Sequence, residues 1–176
     1  MSDEREKVVR SRGLIKKIQM AIPGYRGYRK REDLRIADSL LRSYISERLE
    51  SDIALLKRFS AGLSQNLLME PLQELTSTVN YLETMMLRIR HAEQGYSGIS
   101  PDARFDVKEL DKLYDLDSNL ITSVEAIDHL VNGLPISPNE EDMERMTETL
   151  LNIRKKVKEL EDAFLKRQEF VKMYGG

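Results

Sequence analysis

The chain contains no cysteine and no tryptophan, and aromatic residues make up only 6% of it. Without cysteine there is no disulfide, no thiolate nucleophile and no cysteine-ligated metal, and nothing calls for an oxidising compartment. Long apolar runs are missing as well: no stretch approaches the roughly 18 apolar residues of a membrane-spanning helix. The opening MSDEREKVVRSRGLIKKIQ is charged throughout and lacks the apolar centre of a secretory signal, so the expected location is cytoplasmic. Strand-like alternation over four or more residues is absent, and no repeat stands out beyond heptads.

What is present is the chemistry of a helix bundle. Apolar residues are 40% and charged residues 33% of a 176-residue chain, a length that suits one ordinary domain. The net charge of -2 is unevenly spread. Residues 1 to 35 carry eleven Lys/Arg against five Asp/Glu, a net of +6, which leaves -8 for the remainder. Such a basic arm suits phosphate, an acidic membrane surface, or the acidic body of the same protein.

Start and stop signals divide the chain into helices. The first runs from about Asp3 to Met20 and is stopped by Pro23 and Gly24. The second begins after Tyr28 and runs to about Ser60, close to 50 Å at about 1.5 Å per residue, with Gly62 placed as a left-handed cap. The third starts near Glu70, with Pro71 in its first turn, and spaces Leu68, Leu72, Leu75, Val79, Leu82, Met86 and Ile89 by fours and threes. Asp106 is the expected N-cap of a fourth helix to Val131, with Leu110, Leu113, Leu120, Ile121, Val124, Ile127 and Leu130 on one face and Gly133 after its end. The last helix is announced by SPNEE, with Ser137 as N-cap, Pro138 as first helical residue and Glu140 at the capping-box position. Met143, Met146, Leu150, Ile153, Val157, Leu160 and Phe164 follow in the same rhythm.

The expected fold is all-α: an elongated antiparallel bundle of three to four long helices with coiled-coil-like heptad packing, plus a basic N-terminal helix. Residues 1–29 form the basic helix with its Gly/Tyr corner, and residues 30–176 the antiparallel helical bundle.

Catalytic chemistry finds little support. A di-iron bundle needs Glu-x-x-His on two helices, yet Ala126 precedes His129 by three and Arg88 precedes His91 by three. There is no GxxxxGK[ST] loop, no HExxH and no sequence-supported Ser, His and acid set. The acids Asp111, Asp115, Asp117, Glu140, Glu141, Asp142 and Glu144 fall on helices and read as solvated faces rather than a calcium loop. The expectation is a protein that is not an enzyme, with no catalytic residue, no cofactor, no metal and no small-molecule substrate.

One segment breaks the helical text: IPGYRGYRKRE, residues 22 to 32. Its Gly24-Tyr25-Arg26-Gly27 has the G-x-x-G form of KH domains, but a KH fold needs strands that this chain lacks. Two readings remain. In one, Tyr25, Arg26, Tyr28, Arg29, Lys30, Arg31 and Arg35 form an anion- or partner-binding site at a helix N-terminus, with the tyrosines stacking on a base or resting at a membrane interface. In the other, the segment is a corner: the glycines take positive φ, the tyrosines cover the bundle end with their hydroxyls in water, and the basic residues pair with acids of neighbouring helices.

The stretch from Ile22 to Leu49 resembles the opening of a family of uncharacterised prokaryotic helical proteins, in which an I-P-G-x-x-G-Y corner precedes an R-x-A-D-x-x-L-R helix, here Arg35, Ala37, Asp38, Leu41 and Arg42. The resemblance covers about 28 residues. It implies that the corner and the following helix form one unit, and it brings no activity with it. Arg35, Asp38 and Arg42 are spaced for one ion-pair row. The functional expectation is an interaction or scaffold protein binding a protein partner, or itself, through its heptad faces. The alternative is a peripheral polyanion binder that contacts nucleic acid or acidic lipid through the basic residues of 5 to 35.

Overall fold

The computed structural model describes residues 2–27, 31–65, 68–92, 105–135 and 137–175. Among them there is no strand, and the expected all-α class holds. The helices are α1 (Ser2–Ala21), α2 (Arg31–Gln65), α3 (Met69–His91), α4 (Val107–Asn132) and α5 (Met143–Gly175), with a short 3-10 turn at Glu140–Asp142 before the last.

Several helix ends follow the local chemistry. Asp106 caps α4 reciprocally: its carboxylate accepts from the Glu109 N–H at 2.8 Å, and Glu109 accepts from the Asp106 N–H at 2.7 Å. Two ends depart from expectation. Gly62 does not stop α2, which continues to Gln65; the glycine lies against Pro138, and Leu63, buried beyond it, accepts from the Leu68 N–H at 3.0 Å. Burial of Leu63 and Leu68 thus holds the turn that a left-handed cap was expected to make. The cap before α5 is Asn139 rather than Ser137. Its side chain accepts from the Glu141 and Asp142 N–H groups, while Asp142 accepts from the Asn139 N–H. Pro138 is drawn into the interior beside Gly62, which moves the helix start two residues along.

The chain forms two compact units, each assembled from distant stretches. The first comprises Met1–Tyr44, Ala92–Thr122 and Asp162–Gly176. Its interior contains Ile18, Ile22, Leu34, Leu41, Leu113, Leu120, Ile121 and Phe164, all buried. Here α1 and α4 run parallel, since Arg10 meets Asp115 at 3.2 Å and Lys17 meets Thr122 at 2.8 Å, seven residues further along both helices.

The second unit comprises Ile45–His91 and Ser123–Glu161. Its core is Ile45, Leu49, Leu56, Leu75, Leu82, Met85, Ile89, Val124, Ile127, Leu150, Ile153, Val157 and Leu160. Pairs Glu50–Arg90 and Lys57–Glu83 make α2 and α3 antiparallel, as their short connection requires. By contrast α3 and α5 are parallel: Glu74 meets Arg154 and Tyr81 meets Glu161. Helices separated by an intervening helix return to the same direction, so the bundle contains both kinds of neighbour.

On α3 the buried row is Pro71, Leu75, Thr78, Val79, Leu82, Met85 and Ile89; Leu72 and Met86 lie at its margin. On α5 the row from Met146 to Phe164 is buried as spaced. These rows are covered by the chain's own helices. Each buried Leu or Ile contributes about 1.5–3 kcal/mol, against about 0–1 kcal/mol for an exposed ion pair, so burial decides the arrangement.

Candidate functional site

The corner begins where α1 ends. The Ile22 N–H donates to the Ile18 carbonyl at 2.8 Å, and the Tyr25 N–H donates to the Ile22 carbonyl at 3.3 Å. Gly24 and Gly27 then take φ of 88° and 81°, the left-handed region that glycine enters at least cost. Gly27 answers a second demand: a Cβ there would lie 2.8 Å from the Tyr114 hydroxyl. The positive φ angles anticipated for the corner are therefore present.

Tyr25 departs from both readings of the sequence. Its side chain points inward, 2% exposed, and its hydroxyl donates to Asp117 at 3.1 Å. A ring in that position cannot stack on an exposed base or rest in a membrane interface, and its hydroxyl is not in water. The Tyr25 carbonyl accepts from Gln19 at 3.1 Å, tying the corner back to α1.

Asp117 leads to a buried ionic network. Arg167 of α5, itself 2% exposed, donates through Nε to Asp117 and through Nη1 to Asp38, both at 2.6 Å. Arg42 donates through Nε to the other Asp38 oxygen at 2.7 Å and through Nη1 to the Ala92 carbonyl at 3.2 Å. Two carboxylates and two guanidiniums make the set neutral, which is the condition for holding charge away from water. Asp117 is thus buried, not part of a solvated face as its helix position suggested; a cation from α5 gives it a partner inside. Of the expected row, Asp38 and Arg42 pair while Arg35 is exposed.

Arg26 and Arg35 are exposed. Arg31 opens α2, and Tyr28, Arg29 and Lys30 lie outside the described residues. In the basic arm, Arg10 reaches Asp115 and Lys17 reaches the Thr122 hydroxyl, both on α4. Beside the corner lies an open groove of about 420 Å³. Gly24, Arg26, Gly27, Asp33, Ile36 and Leu40 line it. Its apolar wall includes Ile36, 50% exposed, and a cation and an anion sit on its border.

The second unit holds a different acid cluster, which the sequence did not nominate. Asp52 of α2 is 1% exposed and hydrogen-bonded to the carboxyl of Asp128 on α4. Burial first, then the adjacent Asp128 charge and that hydrogen bond, push the Asp52 carboxyl up to about 7, with Arg48 opposing. Arg48 reaches Asp128 at 3.4 Å, and Asn132 donates to Asp128 at 3.1 Å. At Glu161 the direction reverses: the Tyr81 hydroxyl bond holds its carboxyl below the usual range, helped by Lys158 and Arg88 against some burial. Among the described residues no group of three or more His, Asp or Glu side chains is placed to hold a metal, and no helix is long and apolar enough to cross a membrane.

The fold and this interior define an all-α bundle with a buried ionic network. No family model, curated protein or solved structure matches the chain.

Proposed function

We propose that the chain is a non-catalytic interaction protein, and that the groove beside the corner takes a segment of a protein partner. The observation that supports this reading best is the anchoring of the corner. Tyr25, Asp117, Arg167, Asp38 and Arg42 hold by buried hydrogen bonds the backbone that forms one wall of the groove. A wall held in place without an occupant loses little conformational freedom on binding, and that lowers the cost of association. The lining mixes an anion, Asp33, and a cation, Arg26, with apolar surface, which suits a polypeptide better than a polyanion. Contact through the apolar rows is less favoured, since their residues are already covered within the chain.

A photo-reactive benzoyl-phenylalanine placed at Ile36, with the same residue at exposed Asn152 of the second unit as control, tests the proposal in living cells. The expected result is a discrete protein adduct at position 36 that disappears when Arg26→Glu is added. An adduct of doubled mass would make the partner a second copy. Equal labelling at both positions would sink the proposal. Retention on mixed-sequence nucleic acid or acidic vesicles that weakens steeply with salt would favour the polyanion reading instead.

A further inference from the structure

A hydrogen bond between two carboxyls requires a proton, because a carboxylate only accepts. Asp52 and Asp128 make such a bond, and Asp52 Oδ2 is buried and receives no N–H or O–H from any other residue. An ionised Asp52 would leave that oxygen charged and unsolvated, whereas a protonated one leaves it neutral. We propose that the Asp52–Asp128 pair is a one-proton device: the two acids share a proton across the contact between α2 and α4, and releasing it loosens that contact.

The surroundings are consistent with a single titrating unit. From its own helix Arg48 acts on Asp52, and from α4 come Asp128 itself and Asn132, with His129 exposed beside them. Met85 and Ile89 of α3, and Val157 and Leu160 of α5, are apolar and buried in the core of the same unit. Among charged groups of α3 and α5 in this unit, Arg90 pairs with Glu50, and Glu161 with Tyr81, Arg88 and Lys158. Asp128, less buried, and its partner Arg48 provide the exit toward water.

The sign follows from linkage. A carboxyl raised in the folded state binds its proton more tightly there than in the unfolded chain, so folding loses ground as pH rises through the window from 3.8 to about 7. Above that window the loss is complete. Loosening at alkaline pH is the direction of the device.

Three measurements on the full chain test this. Carbon-detected NMR should find Asp52 titrating near neutrality, with its midpoint moved down by about one pH unit or more in Asp128→Asn, which removes the like charge. A wild-type midpoint near the ordinary carboxyl value would overturn the proposal. In urea, the ratio of wild-type to Asp52→Asn unfolding constants should grow by up to about tenfold per pH unit across the window and level off above it. A ratio independent of pH would overturn it too. Amide exchange, corrected for its intrinsic base catalysis, should rise above neutrality in residues 48–56 and 124–131 and stay flat in Asp52→Asn. A uniform response along α2 and α4 would show that no local contact is being released. Should Asp52→Asn fail to fold, the wild-type titration and the Asp128→Asn shift decide the matter alone.

Discussion

In the first unit the α2 carboxylate Asp38 and the α4 carboxylate Asp117 are bridged by Arg167 from α5. In the second unit the α2 carboxylate Asp52 meets the α4 carboxylate Asp128 directly, and α5 contributes Val157 and Leu160 to the interior. The same two helices thus bury acids in both units, but one set is neutralised by guanidiniums alone and the other by a proton beside the exposed Arg48. The difference is chemical and has consequences. A guanidinium stays charged at every accessible pH and directs hydrogen bonds in a fixed fork, so it orients what surrounds it. A shared proton gives no such fork and is lost when pH rises. The cationic solution lies beside the corner and groove, where a defined backbone is needed.

Breaking the first solution should have the largest effect. Arg167→Met leaves Asp38 and Asp117 buried with one cation, Arg42, fewer than the charge requires, and such uncompensated burial costs about 3–5 kcal/mol. Urea unfolding at pH 7 measures it. The comparison sharpens at lower pH: without the guanidinium the acids must take up a proton, so the variant should recover part of its loss on acidification, as the second unit's pair does by design of its surroundings. A loss that is the same at pH 5 and pH 7 would show that the two acid sets are not interchangeable in this way.

The next effect lies in the glycines of the corner. Gly27→Ala forces a non-glycine residue to φ of 81° and sets its Cβ against the Tyr114 hydroxyl, whereas Gly24→Ala meets the same φ penalty in open space, 4.0 Å from Leu40. The left-handed penalty is about 1–2 kcal/mol, so Gly24→Ala should cost about that much and Gly27→Ala about 1 kcal/mol more. Thermal unfolding of the two variants side by side reads the difference. Tyr25→Phe comes below Gly27→Ala and level with Gly24→Ala. It removes one donor from Asp117, which keeps its Arg167 bond, and should cost about 1–2 kcal/mol with the groove still present.

How much of this could be read from the sequence depends on which residues carry it. The helices were legible because apolar side chains recur in threes and fours, and a row such as Leu150, Ile153, Val157, Leu160 and Phe164 has one physical use, burial against other helices. Asp106 was legible as a cap because its signal is local. The ionic network was not, and yet it left a trace. Arg167 continues the α5 rhythm three residues after Phe164, Asp117 sits between Leu113 and Leu120, and Asp52 sits between Leu49 and Leu56. A charge occupying an apolar register position is that trace: the sequence reading places Asp117 on a solvated face and nominates neither Arg167 nor Asp52. What no spacing could reveal is the pairing, since Arg167 and Asp38 are 129 residues apart. The same holds for Tyr25, whose inward turn depends on a carboxylate 92 residues away.

The smallest effect sharpens the comparison most cleanly, because it holds distance constant and changes only burial. Lys57 meets Glu83 at 2.6 Å on the surface of the second unit, the same separation as Arg167 from Asp38. The Lys57 and Glu83 side chains are 59% and 36% exposed, against 3% and 7% for Arg167 and Asp38. Water and salt screen the first pair, and both of its members regain full hydration when the other is removed; the second has no such recourse. A double-mutant cycle of Lys57→Ala with Glu83→Ala should therefore return a coupling of about 0.5 kcal/mol or less that fades in about 1 M salt. The cycle of Arg167→Met with Asp38→Leu should show coupling several times larger and nearly indifferent to salt. Comparable couplings in the two cycles would mean that burial does not set the worth of these pairs, and the contrast between the two units would lose its physical basis.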